Sequence, residues 1–239
     1  MHLTFDFVAP ADRTFGVVVP IDTLVDAIPD ALDVWAPTTA SVTLASGKVS
    51  AWTGRKNGRV LAQGNTARQP VLDNGRIRMG NGSGTPAGCL ELSGTQIGAS
   101  TAITIAVNVV FDAPALTVDN HYVFGSASPI SRLAYRYTSG NKYLRYQNLT
   151  QNFDAALAAD FAGAVGAVLV ISGTTATLHL TTGVSTTVTL AGAWTMASLA
   201  LGAAQAAQPG DLPGSIGNVG IWSRAVSPSE LATLLAWVG

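Results

Sequence analysis

All five tyrosines of the chain fall between residues 122 and 146, in HYVFGSASPISRLAYRYTSGNKYLRYQN, together with Arg132, Arg136, Lys142 and Arg145. Aromatic rings and guanidinium groups at this density suit sugars, whose C–H faces pack on rings while their hydroxyls bond to Arg, Gln or Asn. The stretch RLAYRYTSGNKYLRYQN reads as a β-hairpin turning at Ser139 to Asn141. At a period of two, Leu133, Tyr135 and Tyr137 share one face of the first strand, and Arg132, Ala134 and Arg136 share the other. On the return strand Tyr143, Arg145 and Gln147 lie opposite Leu144 and Tyr146. Arg136, Tyr143, Arg145 and Gln147 are therefore the candidate carbohydrate-binding residues, backed by a layer of tyrosine and leucine. The same pattern also fits a sheet face without a ligand, where tyrosines fill strand positions they favour and arginine stems cover them.

Other chemistries find less support. Glycosidic hydrolysis needs two carboxyl groups roughly 5 to 10 Å apart, and Glu91 and Glu230 are the only glutamates. Glu230 is already committed to a helix start, as described below. A serine nucleophile needs a histidine and an orienting acid; only His2, His121 and His179 are present, and no Gly-x-Ser-x-Gly elbow surrounds a serine. MGNGSGTPAG, residues 79–88, is glycine-rich like a phosphate cradle, but no Lys-Ser or Lys-Thr follows, so it reads as a loop. The expectation is a protein that is not an enzyme. Cys89 stands alone, which excludes an internal disulfide and a zinc-binding cysteine pair and points to a small buried side chain. His179 reads as a surface histidine among threonines. No metal or other cofactor is assigned; calcium is the one cation left open, at the loop carrying Asp112, Asp119 and Asn120 or at the cluster Asp22, Asp26, Asp30 and Asp33.

The elements that would carry these residues are mostly strands. Gly, Asn, Ser, Thr and Pro recur between short runs rich in Val, Ile, Thr and Leu, which predicts an all-β fold. The runs are SVTLA (41–45), ITIAVNVVF (103–111), AVLVIS (167–172), TATLHLTT (175–182), STTVTLA (185–191) and MASLALG (196–202). In TATLHLTTGVSTTVTL, Ala176, Leu178 and Leu180 face one way and Thr177, His179 and Thr181 the other, with a tight return at Gly183: a hairpin with one wet face. Near the end, Val219 and Ile221 point away from Trp222, so both faces of that strand are expected to be covered. Ser227, Pro228 and Glu230 form a capping box with proline at the first helical position. Leu231, Leu234, Leu235 and Val238 then follow at the spacing of one buried stripe, a short helix laid on a sheet. Upstream, prolines at 20, 29 and 37 interrupt the acidic cluster, whose spacing places it on one side of a broken helix; an arm or extra strand packed on the sandwich is the preferred reading.

Composition narrows the setting. The 239 residues fit one principal domain. Charged residues make up 11%, against about 25% in ordinary globular proteins, so some surface is expected to meet another chain. A net charge of -1 offers no general attraction to nucleic acid or anionic lipid. No partner of either kind, nucleic acid or membrane, is expected. The apolar run FAGAVGAVLVI (161–171) is too short to span a bilayer, and the opening residues lack the pattern of a secretion signal.

Two blocks carry a resemblance. WSRAVSPSELATLLAWV, following an apolar strand, resembles the closing segment of laminin-G-like, concanavalin A-like jelly-roll domains. VTLASGKVSAWTGRKNGRVLAQGNTARQPVLDNGRIRMGN, residues 42–81, is similar to the early part of such domains in bacterial and bacteriophage proteins. The resemblance implies a concanavalin A-like jelly-roll β-sandwich of two antiparallel sheets with a short C-terminal capping helix, spanning residues 39–239 after an N-terminal docking arm, 1–38. The Glu-x-Asp-x-x-Glu strand of the glucanase relatives is missing, and TGRKNG after Trp52 stands where an acidic residue and a serine are expected. Trp52 and Trp222 read as core, and Trp194 as a candidate for exposure. The context implies a phage or phage-like virion protein, assembled in the bacterial cytoplasm, partnered by other virion proteins or by itself and touching host surface polysaccharide. A purely architectural subunit and a free-standing bacterial carbohydrate-binding module are the alternatives.

Overall fold

The computed structural model describes residues 19–80, 88–92, 97–99, 101–127, 130–192, 194–196, 198–204 and 212–239. Residues 1–18 of the expected arm, including His2, and 81–87 of the glycine-rich run lie outside the described residues. Helix α1 (Ile21–Asp26) is followed by β1 (Ala31–Trp35), β2 (Val42–Ala45), β3 (Lys48–Thr53), β4 (Val60–Ala62), β5 (Val71–Asp73), β6 (Arg76–Arg78) and β7 (Leu90–Leu92). The middle of the chain gives β8 (Gly98–Ala99), β9 (Ala102–Phe111), β10 (His121–Ala127), β11 (Ile130–Thr138), β12 (Asn141–Asn148) and β13 (Gln151–Ala156). It ends with β14 (Ala164–Ser172), β15 (Thr175–Leu180), β16 (Ser185–Thr189), β17 (Thr195–Met196), β18 (Leu199–Leu201), β19 (Gly214–Trp222) and helix α2 (Pro228–Val238).

Two antiparallel sheets stack into a jelly-roll β-sandwich. One runs β16-β15-β14-β9-β19-β6-β5 with β1 added on β19; the other runs β13-β12-β11-β10-β18-β7-β4-β3-β2. Alternate residues of each strand fill the space between them, Ile103, Ile105, Val107 and Val109 from β9 facing the interior that also holds Leu133, Tyr135, Leu144 and Tyr146. The expected single strand over 196–202 is divided, because β17 pairs with β8 while β18 pairs with β7 and β10 in the larger sheet. The TATLHL hairpin is as its alternation requires: Ala176, Leu178 and Leu180 are buried, and His179 faces outward to bond Ser185.

The first sheet has an apolar outer face, and the helices cover it. Ala106, Val168 and Trp222 pack with Val25, Ile28, Val34, Leu234, Trp237 and Val238 in a second core. Leu231 and Leu235 are half-buried, so Trp237, more than either leucine, anchors the stripe. Each fully buried large apolar side chain there contributes about 1.5–3 kcal/mol. The capping box forms as expected: Ser227 N–H donates to Glu230 Oε2 at 2.7 Å, and Glu230 N–H donates to Ser227 Oγ. At the other end Asn108 and Asn218 donate to the carbonyls of Val238 and Trp237 at 2.6 and 3.0 Å, satisfying acceptors the helix leaves open. Gly166 permits this docking, since a Cβ there would lie 2.2 Å from the Val238 oxygen.

The acidic cluster does not share one side of a helix. Helix α1 ends at Asp26, Pro29 breaks the chain, and Asp33 lies fully buried within β1, an extra strand on β19. Four backbone N–H groups, of Val34, Lys56, Asn57 and Arg59, donate to the Asp33 carboxylate at 2.7–3.2 Å. The TGRKNG loop is thus wrapped around an internal anion. Gly54 is required because any Cβ would strike that carboxylate at 2.2 Å.

Candidate functional site

The outer face of the second sheet is polar, and the β11–β12 hairpin dominates it. Ser139 and Gly140 both hold positive φ, 51° and 81°, the conformation of a two-residue primed turn whose twist matches the strands it joins. That turn sets the register: Arg136 opposes Tyr143, Ala134 opposes Arg145 and Arg132 opposes Gln147. Tyr122 on β10 extends the middle row through Ala134 and Arg145 to Asp154 on β13. The four sequence-derived residues, Arg136, Tyr143, Arg145 and Gln147, therefore share one exposed face. Beneath them Leu133, Tyr135, Leu144 and Tyr146 are buried.

Two of the guanidiniums are held by carboxylates. Arg136 donates Nε and Nη2 to Asp119 at 2.6 and 2.8 Å, and Arg145 donates the same pair to Asp154 at 2.5 Å each. Such fork-to-fork pairs fix a planar group in one orientation. Among the described residues, the remaining Nη1 of each has no protein partner. The Arg136 fork and the Tyr137 N–H hold the Asp119 carboxyl below the usual carboxylate range, and the bond to Asp154 holds Arg145 above the usual arginine value. Burial pushes the Tyr135 hydroxyl up to about 12 and raises that of Tyr146 further, so both stay protonated, Tyr135 donating to the Leu116 carbonyl and Tyr146 accepting from the Trp194 ring N–H.

Between the arginines lies a shallow cup of about 20 Å³, room for one water-sized group, lined by Asn120, Tyr122, Arg132, Ala134, Arg136, Arg145 and Gln147. Its floor is low because Ala134 sits between two arginines on β11. The Arg132 guanidinium lies over the Tyr122 ring, 5.5 Å from its centroid. Gln147 donates its amide to the Leu149 carbonyl, which leaves its own oxygen as an acceptor. Tyr143 lines a neighbouring groove instead, with Gly140, Asn141, Lys142, Ala156, Leu157 and Ala159. The hairpin pattern identified the face but not Asn120 or Tyr122, which come from the loop and strand before it. It also missed the two aspartates, and an Arg–Asp separation of nine residues across a hairpin was the available signal for Arg145 and Asp154.

Other sequence candidates are placed elsewhere. Asp112 pairs with Arg78 at 2.7 Å and Asp119 with Arg136, so the two carboxylates proposed for calcium face different guanidiniums. Asp22 and Asp26 both pair with Arg55, at 2.8 and 2.9 Å. Glu91 lies between buried Leu90 and Leu92 and so faces outward from the second sheet, while Glu230 belongs to the helix covering the first. Sheet and helix layers each add about 10 Å, which separates these glutamates far beyond an acid pair. Trp194, expected to be exposed, is fully buried, because its ring N–H donates to Tyr146 Oη at 2.8 Å and Ser131 Oγ at 3.2 Å. Trp52 and Trp222 are buried as expected, and so is Cys89.

No family model and no curated protein matches the chain. Solved structures do. A ganglioside-dependent botulinum neurotoxin type C structure superimposes with a TM-score of 0.61 at 8% identity over 92% of this chain and 53% of that one. Domain 4 of AbnA, a GH43 extracellular arabinanase from Geobacillus stearothermophilus in complex with arabinotriose, gives 0.58 at 14% identity over 86% and 98%. Trypanosoma rangeli sialidase gives 0.56 at 11% over 90% and 37%. The chain spans about half the length of the neurotoxin chains it matches. Together these likenesses define the class of the fold, a jelly-roll β-sandwich.

Proposed function

We propose that the chain is a non-enzymatic, lectin-like domain that holds surface polysaccharide on the outer face of β10–β13, through Arg136, Tyr143, Arg145 and Gln147. The observation that carries this reading is the pair of carboxylate-clamped arginines facing a cup, beside a tyrosine-lined groove. Clamping removes the rotamer freedom that a long side chain would otherwise lose on binding, so donors stand ready for hydroxyl or acid oxygens. The solved structures with arabinotriose and with a ganglioside requirement support a sugar-binding use of this fold. A glycan array of the parent beside Arg136→Ala and Tyr143→Ala tests it. Binding should fall in both variants; strong binding unaffected by either change would dismiss the site.

We also propose that the domain belongs to a phage or phage-like particle, made in the bacterial cytoplasm, with residues 1–38 contributing to docking. The sparse charge and the resemblance of residues 42–81 to domains of bacterial and bacteriophage proteins support this. Mass spectrometry of purified particles should find the chain, and a truncation of residues 1–18 should lower its incorporation. Assembly that is unaffected by the truncation would contradict the docking role. One observation favours an architectural reading instead: on β2, an end strand of the larger sheet, Leu44 is 52% exposed, and on β4, two strands in, Val60 is 42% exposed. Light scattering that finds an oligomer together with a silent array would select that reading.

A further inference from the structure

Resting on the glycan-binding reading, we propose that the groove beside Tyr143 is a subsite for one neutral sugar residue, seated with its C–H face on the ring. The groove measures about 120 Å³, against about 20 Å³ for the cup between the arginines. A water needs about 10–15 Å³ of such space, so the groove holds about eight to twelve groups of that size, the bulk of one pentose or hexose. Strand register opens it. Tyr143 on β12 opposes Ala156 on β13, so a methyl group stands where a larger outward side chain would cover the ring. Past the end of β13, the Leu157 N–H donates to the Lys142 carbonyl at 2.9 Å. The Lys142 ammonium in turn donates to the carbonyls of Ala159 and Phe161 at 2.9 and 3.1 Å. These bonds hold the turn after β13 against the hairpin as a wall of the groove.

The lining has two characters. Tyr143, Ala156, Leu157 and Ala159 present carbon, while Asn141 and Lys142 present hydrogen-bonding groups. The Asn141 amide can both give and accept, and the Lys142 ammonium has a third N–H beyond its two carbonyls. A sugar ring divides in the same way, into a C–H face that packs on an aromatic ring and rim hydroxyls that give and accept. A carboxylate or sulfate would instead lose water against Leu157 and the alanines, with N–H groups of only Asn141 and Lys142 to replace it. Arg136 lies directly across the strand pair from Tyr143. Arg145 lies two residues along β12, about 7 Å away. The sugar in the groove therefore fixes where the rest of the glycan meets the clamped guanidiniums.

The test titrates the unaltered protein with cellotriose, xylotriose and isomaltotriose beside trigalacturonate, at low and moderate salt. At least one neutral trisaccharide should bind more tightly than the acid, with an affinity that salt changes less than about twofold. Ala156→Leu fills the groove from an exposed strand position and removes no polar group. It should weaken that ligand about tenfold while leaving the unfolding temperature near the parent's. Tyr143→Ala should also weaken it about tenfold, and Tyr143→Phe, which keeps the ring, should stay within about threefold. Neutral binding that is lost in Arg136→Ala yet unchanged in Ala156→Leu would overturn the subsite and keep glycan binding. Binding confined to trigalacturonate and abolished by salt would do the same. Silence toward all four ligands would overturn the subsite, and a silent glycan array as well would overturn both.

Discussion

The two outer faces of this sandwich are built to opposite ends. Over the first sheet, Ala106, Val168 and Trp222 are apolar, and α1 and α2 seal them from water. Over the second, the equivalent alternate positions carry Arg132, Arg136, Arg145 and Gln147, and neither α1 nor α2 covers the hairpin. Glycine shows the contrast at close range. Gly220 lies under the Trp222 ring, which would meet a Cβ at 2.3 Å, and Gly166 admits the end of α2. On the polar face Ala134 forms the floor of the shallow cup between the arginines, and Gly125 admits the Ala204 backbone. One face gives its small residues to a docking helix and its own tryptophan, and the other keeps a shallow depression between charged side chains. A covered face stabilises; an uncovered face with pre-positioned charge is available to a ligand.

This contrast predicts unequal responses to mutation. Trp222→Ala should be the most damaging change, destabilising by about 3–5 kcal/mol because a large buried ring leaves a cavity between sheet and helix. Thermal or urea unfolding measures it, and folded material should keep its glycan affinity. Asp33→Asn should cost about 1–3 kcal/mol, since one oxygen acceptor and the charge are lost to four converging N–H groups. Ser227→Ala should cost about 1 kcal/mol through the lost cap. Arg136→Ala should change stability by about 1 kcal/mol or less, as expected for a solvent-facing ion pair, while removing binding. If Arg136→Ala instead unfolds the protein as Trp222→Ala does, the polar face is structural and the contrast fails.

Acid sharpens the same comparison. Arg224 and the Ser227 cap hold the Glu230 carboxyl at about 2, against an ordinary 4.5. A lowered folded-state value means the stabilisation is complete above about pH 4.5 and is lost as pH falls toward 2. Helix α2 should loosen in that window, followed by the Trp237 and Trp222 fluorescence. Asp119 is displaced in the same direction, so the Arg136 clamp should persist through mildly acidic solution and loosen only below the usual carboxylate range.

Much of this architecture could be read from alternation and turn residues. The β11–β12 hairpin and the capped C-terminal helix were legible because each signal is local: a two-residue turn, a capping box, a period of two or 3.6. The candidate face was legible for the same reason. What sequence did not show depends on distant partners. Asp33 looked like one of four helical carboxylates because three of the four N–H groups that hold it come from residues more than twenty positions away. Trp194 looked exposed beside a turn, yet its ring N–H reaches two hydroxyls across the core. Asn120 and Tyr122 reach the cup through strand order, which no short motif encodes.

The measurement closest to the central claim is a backbone amide NMR titration with the best-binding oligosaccharide. The account predicts shifts concentrated at residues 119–122, 132–137 and 143–147, with the Trp237 and Trp222 surroundings silent. Shifts clustered on the helix-covered side, around the TGRKNG loop, or absent altogether would contradict it.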